Sequence, residues 1–151
     1  MSRTHVDAQE RAELTKTLVN GHPDDWRAWV ARAEVGDIPI TEWQQAVARA
    51  RELAPEQQRV LRLVALDALG ERRWDEARAL ATKAWLRGAD GLVDRAVPFI
   101  ATQQLGRCAE ASVWLPPAAE TKAFGQTLTQ LGKEMDLPAT SCIAAAPVGL
   151  K

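Results

Sequence analysis

The chain repeats itself. Leu69-Gly70-Glu71-Arg72-Arg73-Trp74-Asp75-Glu76-Ala77 and Leu105-Gly106-Arg107-Cys108-Ala109-Glu110-Ala111 share one pattern. Each has a leucine and a glycine, a basic residue, a larger side chain at Trp74 or Cys108, and then Glu-Ala. Ala77 and Ala111 lie 34 residues apart, as do Trp43 and Ala77, and Ala50 and Ala84. A fixed interval of this kind points to stacked copies of one supersecondary unit, each too small to bury its apolar face alone.

The unit reads as helical. Trp26, Trp29, Val30 and Ala33 follow the i, i+3, i+4, i+7 spacing of an amphipathic helix, and so do Trp43, Ala46, Val47 and Ala50. Strand-type alternation is nearly absent. The first helix is expected to start at a Thr4 cap with Asp7 and to end at Asn20-Gly21. Thr41 and Gln44 predict a capping box for the third helix, and Gly70 a left-handed cap for the fourth. The fifth helix runs from Trp74 to Gly88. The sixth, from about Gly91 to Gln104, contains Pro98 and should kink there. A short helix from Arg107 to Trp114 and a longer one from Ala118 to Asp136 complete the set. The fold class is therefore all-α.

The repeat length, with two helices and a turn per unit, resembles the tetratricopeptide-repeat family. That resemblance implies antiparallel helical hairpins stacked as a short α-solenoid of about three repeats. Residues 1–22 would form an N-terminal capping helix, 23–115 the repeats, 116–136 a C-terminal capping helix and 137–151 a tail, all within one domain. Ala77, Ala84 and Ala111 would occupy close helix crossings, and Trp74 would wedge its hairpin. Trp29 fits the family's large aromatic early in the first helix of a repeat. Leu61 and Arg95 hold that place later, and the arginine departs from the pattern.

Composition closes off several functions. Nineteen Lys and Arg stand against 20 Asp and Glu, a formal net charge of −1, so there is no global attraction to nucleic acid. Arg72, Arg73 and Arg78 are interleaved with acids and read as a solvated turn. The start of the chain lacks the apolar core of a signal peptide, and no stretch reaches membrane-spanning length. His5 and His22 are too few for an imidazole metal site, and no metal or cofactor is expected. The two cysteines allow one bridge at most. Cys108 reads as a small buried hydrophobe and Cys142 as a tail thiol, and two unpaired thiols suit a cytoplasmic protein. Paired acids such as Asp24-Asp25 and Asp75-Glu76 fall in first helical turns, where negative charge is favourable. No phosphate-binding glycine loop is present. The chain reads as non-catalytic. Six tryptophans, two phenylalanines and no tyrosine suggest core filling, with a stacking platform as the alternative.

What remains is a surface. In the tetratricopeptide-repeat family the concave face, lined by the first helix of each repeat, accepts a peptide or helix. Carried over by register, that lining would comprise Arg27, Val30, Arg59, Arg62, Leu66, Ala96, Ile100 and Gln103. A mixed apolar and arginine groove suits an amphipathic helix or an acidic-apolar segment of another protein. The lysine, asparagine and arginine clamp of the family's chaperone-binding members is not implied, because the asparagines are missing. The expected function is protein–protein interaction, as an adaptor, chaperone or assembly subunit. The alternatives are a secretion-type chaperone and a regulatory subunit binding a small molecule. The apolar, proline-broken tail is expected to cap the last helices near Phe124 and Leu128, with occupation of the groove as the alternative.

Overall fold

A computed structural model describes residues 7–139 and Cys142. Eight α-helices follow one another, and no strand occurs among the described residues. They are α1 (Ala8–Gly21), α2 (Trp26–Glu34), α3 (Ile40–Leu53), α4 (Gln58–Gly70), α5 (Trp74–Leu86), α6 (Leu92–Gln104), α7 (Cys108–Ala111) and α8 (Thr121–Glu134). Single 3-10 turns at Ser112–Trp114 and Ala118–Glu120 flank the prolines between α7 and α8. The chain divides into two compact units, Met1–Val64 and Ala65–Lys151, with the boundary inside α4.

Several helix starts differ from the sequence reading. Asp7 is the cap of α1, its carboxylate accepting from the Gln9 N–H at 3.3 Å; Thr4 lies outside the described residues. Asp25 caps α2 by accepting from the Arg27 N–H at 3.0 Å. The box expected at Thr41 is replaced by an earlier start at Ile40. Pro39 is the cap, and its carbonyl accepts from the Trp43 N–H at 3.0 Å. The ring sets a φ of −56°, while the extended ψ of 147° suits the residue before a helix.

The turn after α4 also departs from expectation. Gly70 stays in the helix, and the left-handed residue is Arg72, with φ 62°. Arg73 N–H donates to the Ala68 carbonyl and Arg72 N–H to that of Leu69, the pair of bonds of a Schellman turn. The same pair ends α5 at Gly88, α6 at Gly106 and α8 at Asp136, with φ 102°, 78° and 49°. Two of these four turns therefore place a side chain where glycine would be free of strain. The two meet: Arg72 Nη2 donates to the Asp136 carbonyl at 3.2 Å.

In the first unit α2 packs on α1 and on α3. Its buried apolar residues include Val30, Ala46, Val47, Ala50 and Val60. In the second unit Ala65, Ala68 and Leu69 of α4 pack with Ala77 and Ala81 of α5, four residues of α6, and Phe124 and Leu131 of α8. Ala50, Ala77, Ala84 and Ala111, the alanines picked out by the 34-residue offset, are all buried. Small side chains at those points let helix backbones approach closely, where a larger one would overpack.

Candidate interaction surface

The eight residues assigned by register divide between the units, with Arg27, Val30, Arg59 and Arg62 in the first and Leu66, Ala96, Ile100 and Gln103 in the second. Their exposure divides them again. Val30 and Ala96 are each 0% exposed, and Ile100 and Gln103 are also buried. These four side chains are packing residues of their own units and present almost nothing to solvent. Leu66 is half-buried against the apolar cluster of the second unit. Arg27 and Arg59 are exposed and Arg62 is half-buried.

Both exposed arginines are engaged. Arg27 Nε and Nη2 donate to the two carboxylate oxygens of Asp25 at 3.1 and 3.3 Å. The Arg27 side chain, and then its backbone N–H, hold the Asp25 carboxyl below the usual carboxylate range. Arg59 of α4 pairs with Glu34 at the end of α2. An acidic ligand at either guanidinium would have to displace a carboxylate already in place.

Arg32 is the charged residue that the sequence reading missed. It is 7% exposed. Its Nη1 donates to the Ala12 carbonyl at 2.6 Å and to Thr15 Oγ1 at 3.2 Å, and its Nη2 to Glu42 Oε2 at 2.7 Å. One guanidinium on α2 thus joins α1 to α3. The apolar stripe of α2 drew attention to Trp29 and Val30. The available signal was on the other side, where Ala28 and Arg32 sit four apart and share a buried face.

Arg95, which interrupts the family pattern, has its own structural use. Its guanidinium lies 4.7 Å from the Trp85 ring centroid. The same group donates to the carbonyls of Trp114 and Leu115 at 3.5 and 3.2 Å. Trp85 and Trp114 meet edge to face, with centroids 5.7 Å apart. One face of Trp85 is thus covered from within the chain by a cation. Trp29 donates its ring N–H to the Pro23 carbonyl at 2.8 Å, satisfying the polar end of a half-buried ring.

The cysteines require a correction. Cys108 and Cys142 form a disulfide with Cα atoms 5.3 Å apart. Cys108 is exposed rather than a buried hydrophobe, and Cys142 is 3% exposed rather than an open thiol. The physical reason lies in the chain that follows α8. Leu137 packs onto the cluster containing Phe124 and Leu128, and the Pro138 carbonyl accepts from Gln104 Nε2 at 2.6 Å. This course carries Cys142 to the start of α7, with its Sγ 3.8 Å from the Gln103 carbonyl. Residues 140–141 and 143–151 of the expected tail lie outside the described residues.

Large apolar side chains remain in solvent on both units. Leu14 and Leu18, one turn apart on α1, are 64% and 40% exposed. Asp7, Gln9, Glu10 and Glu13 line a shallow depression beside Leu14. On the second unit Leu86, Val113 and Leu115 are exposed. No helix among the described residues is long and apolar enough to cross a membrane. No family model, curated protein or solved structure matches this chain.

Proposed function

We propose that the chain is a non-catalytic protein–protein interaction module, built as a short α-solenoid of tetratricopeptide-like hairpins and working in the cytoplasm. The observation that carries this reading is the Leu14 and Leu18 stripe on α1. Two leucines on one helical face, held in water beside Glu10 and Glu13, gain by covering with another apolar surface. A partner helix with its own apolar stripe and basic flanks fits that chemistry. The exposed Arg59 and the half-buried Arg62, one turn apart on α4, supply a second place for contact. Buried Val30, Ala96, Ile100 and Gln103 act in this reading by shaping the helices rather than by touching the partner.

Affinity capture from the native host tests the proposal. The parent chain is compared with a Leu14→Ser, Leu18→Ser variant and an Arg59→Gln, Arg62→Gln variant. Glutamine is chosen because charge reversal at Arg59 would also repel Glu34. One protein held by the parent and lost from one variant of unchanged helix content supports the reading. The same set of proteins on the parent and both variants overturns it.

A further inference from the structure

We propose that the Cys108–Cys142 bridge is a redox latch, opened by a dithiol reductant, that sets whether the chain following α8 stays docked on α6. The argument starts from what holds that chain. Asp136 receives the Arg72 bond, Leu137 reaches the apolar cluster, and Pro138 accepts from Gln104. Beyond Pro138 the described anchor is Cys142, whose bridge to Cys108 closes 34 residues of sequence. Gln103 and Gln104, the last turn of α6, lie under this segment. The same stretch that finishes the second unit therefore covers the end of a helix on which the family resemblance placed groove residues.

The two sulfurs differ in access. Cys108 is exposed and stands beside Arg107, whereas Cys142 is enclosed. The Cys108 end of the bridge is the one that faces an incoming thiolate. Attack there forms a mixed disulfide on Cys108 and breaks the bridge. The electron pair leaves on Cys142 Sγ, which takes a proton from water. The second thiol of the reductant then attacks its own sulfur in the mixed disulfide. It closes the reductant's disulfide and releases Cys108 Sγ, which takes the second proton from water. The balance is two electrons and two protons to the protein and one disulfide formed in the reductant. This rests on the cytoplasmic placement proposed above: in that reducing compartment a bridge that can be opened in this way is a sensor rather than a fixture. Once it opens, Cys142 holds its packing contacts and a weak thiol contact to the Gln103 carbonyl in place of a covalent bond, and the segment can leave Gln103 and Gln104.

The test needs no partner, so its outcome is separate from that of the interaction proposal. The purified chain is oxidised, or reduced with thioredoxin or dithiothreitol, and followed by hydrogen exchange with mass spectrometry and by far-ultraviolet circular dichroism. A Cys108→Ser, Cys142→Ser variant serves as the permanently open form. The expected result is unchanged helix content with exchange about tenfold faster or more in the last turn of α6 and in residues 136–138, in both the reduced and the double-serine chain. Three results would overturn the latch. The bridge resists thioredoxin, which makes it a permanent cross-link; exchange stays the same after reduction; or the reduced chain loses its helices altogether.

Discussion

Arg32 in the first unit, enclosed among three helices, and Leu69 in the second, in a cluster drawn from four, occupy comparable places yet do opposite chemistry. Arg32 fills its enclosure with a charge and satisfies it through Ala12, Thr15 and Glu42. Leu69 is fully buried and satisfied by shape alone, among Ala65, Ala77, Ile100 and Leu131 of one apolar cluster. The second unit adds the Phe99–Phe124 edge contact at 5.4 Å and a covalent bridge. The first carries the ion pairs Arg49 of α3 to Asp24 ahead of α2 at 3.0 Å and Arg59 of α4 to Glu34 of α2, and the second carries Arg78 of α5 to Glu110 of α7 at 3.4 Å. Polar bonds fail all at once when one partner is lost, whereas an apolar cluster loses stability in proportion to the volume removed.

Leu69→Ala gives the largest expected effect. Removing an entirely buried leucine should cost about 3–5 kcal/mol, with hydrogen-exchange protection lost in α5, α6 and α8. Arg32→Ala follows at about 1–3 kcal/mol, because it removes the three hydrogen bonds that tie α1 and α3 to α2, with the Thr15 hydroxyl still donating to the Ala12 carbonyl. Its exchange signature should fall on α1 to α3. Equal losses throughout the chain for both variants would erase the distinction between the units. Ala77→Leu should cost about 2 kcal/mol through overpacking, measured by urea denaturation. A neutral result there would detach the 34-residue offset from helix packing.

Smaller effects refine the contrast. Asp136→Gly should stabilise the second unit by about 0.5–1 kcal/mol, since it relieves a left-handed φ while keeping the carbonyl that Arg72 uses. The smallest expected effect is at Asp25. Its carboxyl is lowered by Arg27, so the α2 cap is intact above the ordinary carboxylate pKa and is lost as pH falls through the depressed one. Side-chain NMR titration of Asp25 should show that lowered midpoint. A midpoint at the ordinary value would mean that the Arg27 contact is not kept in solution.

The contrast also explains what could be read from sequence. Apolar spacing announces itself, so the helices and buried Ala50, Ala77, Ala84 and Ala111 were legible. Helix starts were less so. A threonine with a suitable residue three positions on is a frequent pattern, and Pro39 took the cap at α3 on backbone geometry alone. Arg32 was hidden because a single arginine on a helix reads as solvated until its acceptors on α1 and α3 are in place. The bridge was hidden in a similar way. Cys108 fits the place of Trp74 in the repeat, and nothing in sequence tells that the chain after α8 turns back to α7. Val30, Ala96, Ile100 and Gln103 follow from repeat register, which identifies a helix position but does not distinguish a side chain lining a groove from one buried beneath it.

Two of the three bonds of Arg32 also act as a register check on α1. That helix buries only Val19 outright, so apolar burial leaves its rotation and its slide weakly specified. Hydrogen bonds have direction, and a slip of one residue would move each acceptor by about 1.5 Å along the axis and about 100° around it. The Ala12 carbonyl and the Thr15 hydroxyl would then both miss the guanidinium, while Glu42 stayed in place. Neighbouring alignments of α1 are thus separated from the native one by broken bonds instead of lost grease. A helix that buries little apolar surface of its own is given a unique address by a single side chain on its neighbour.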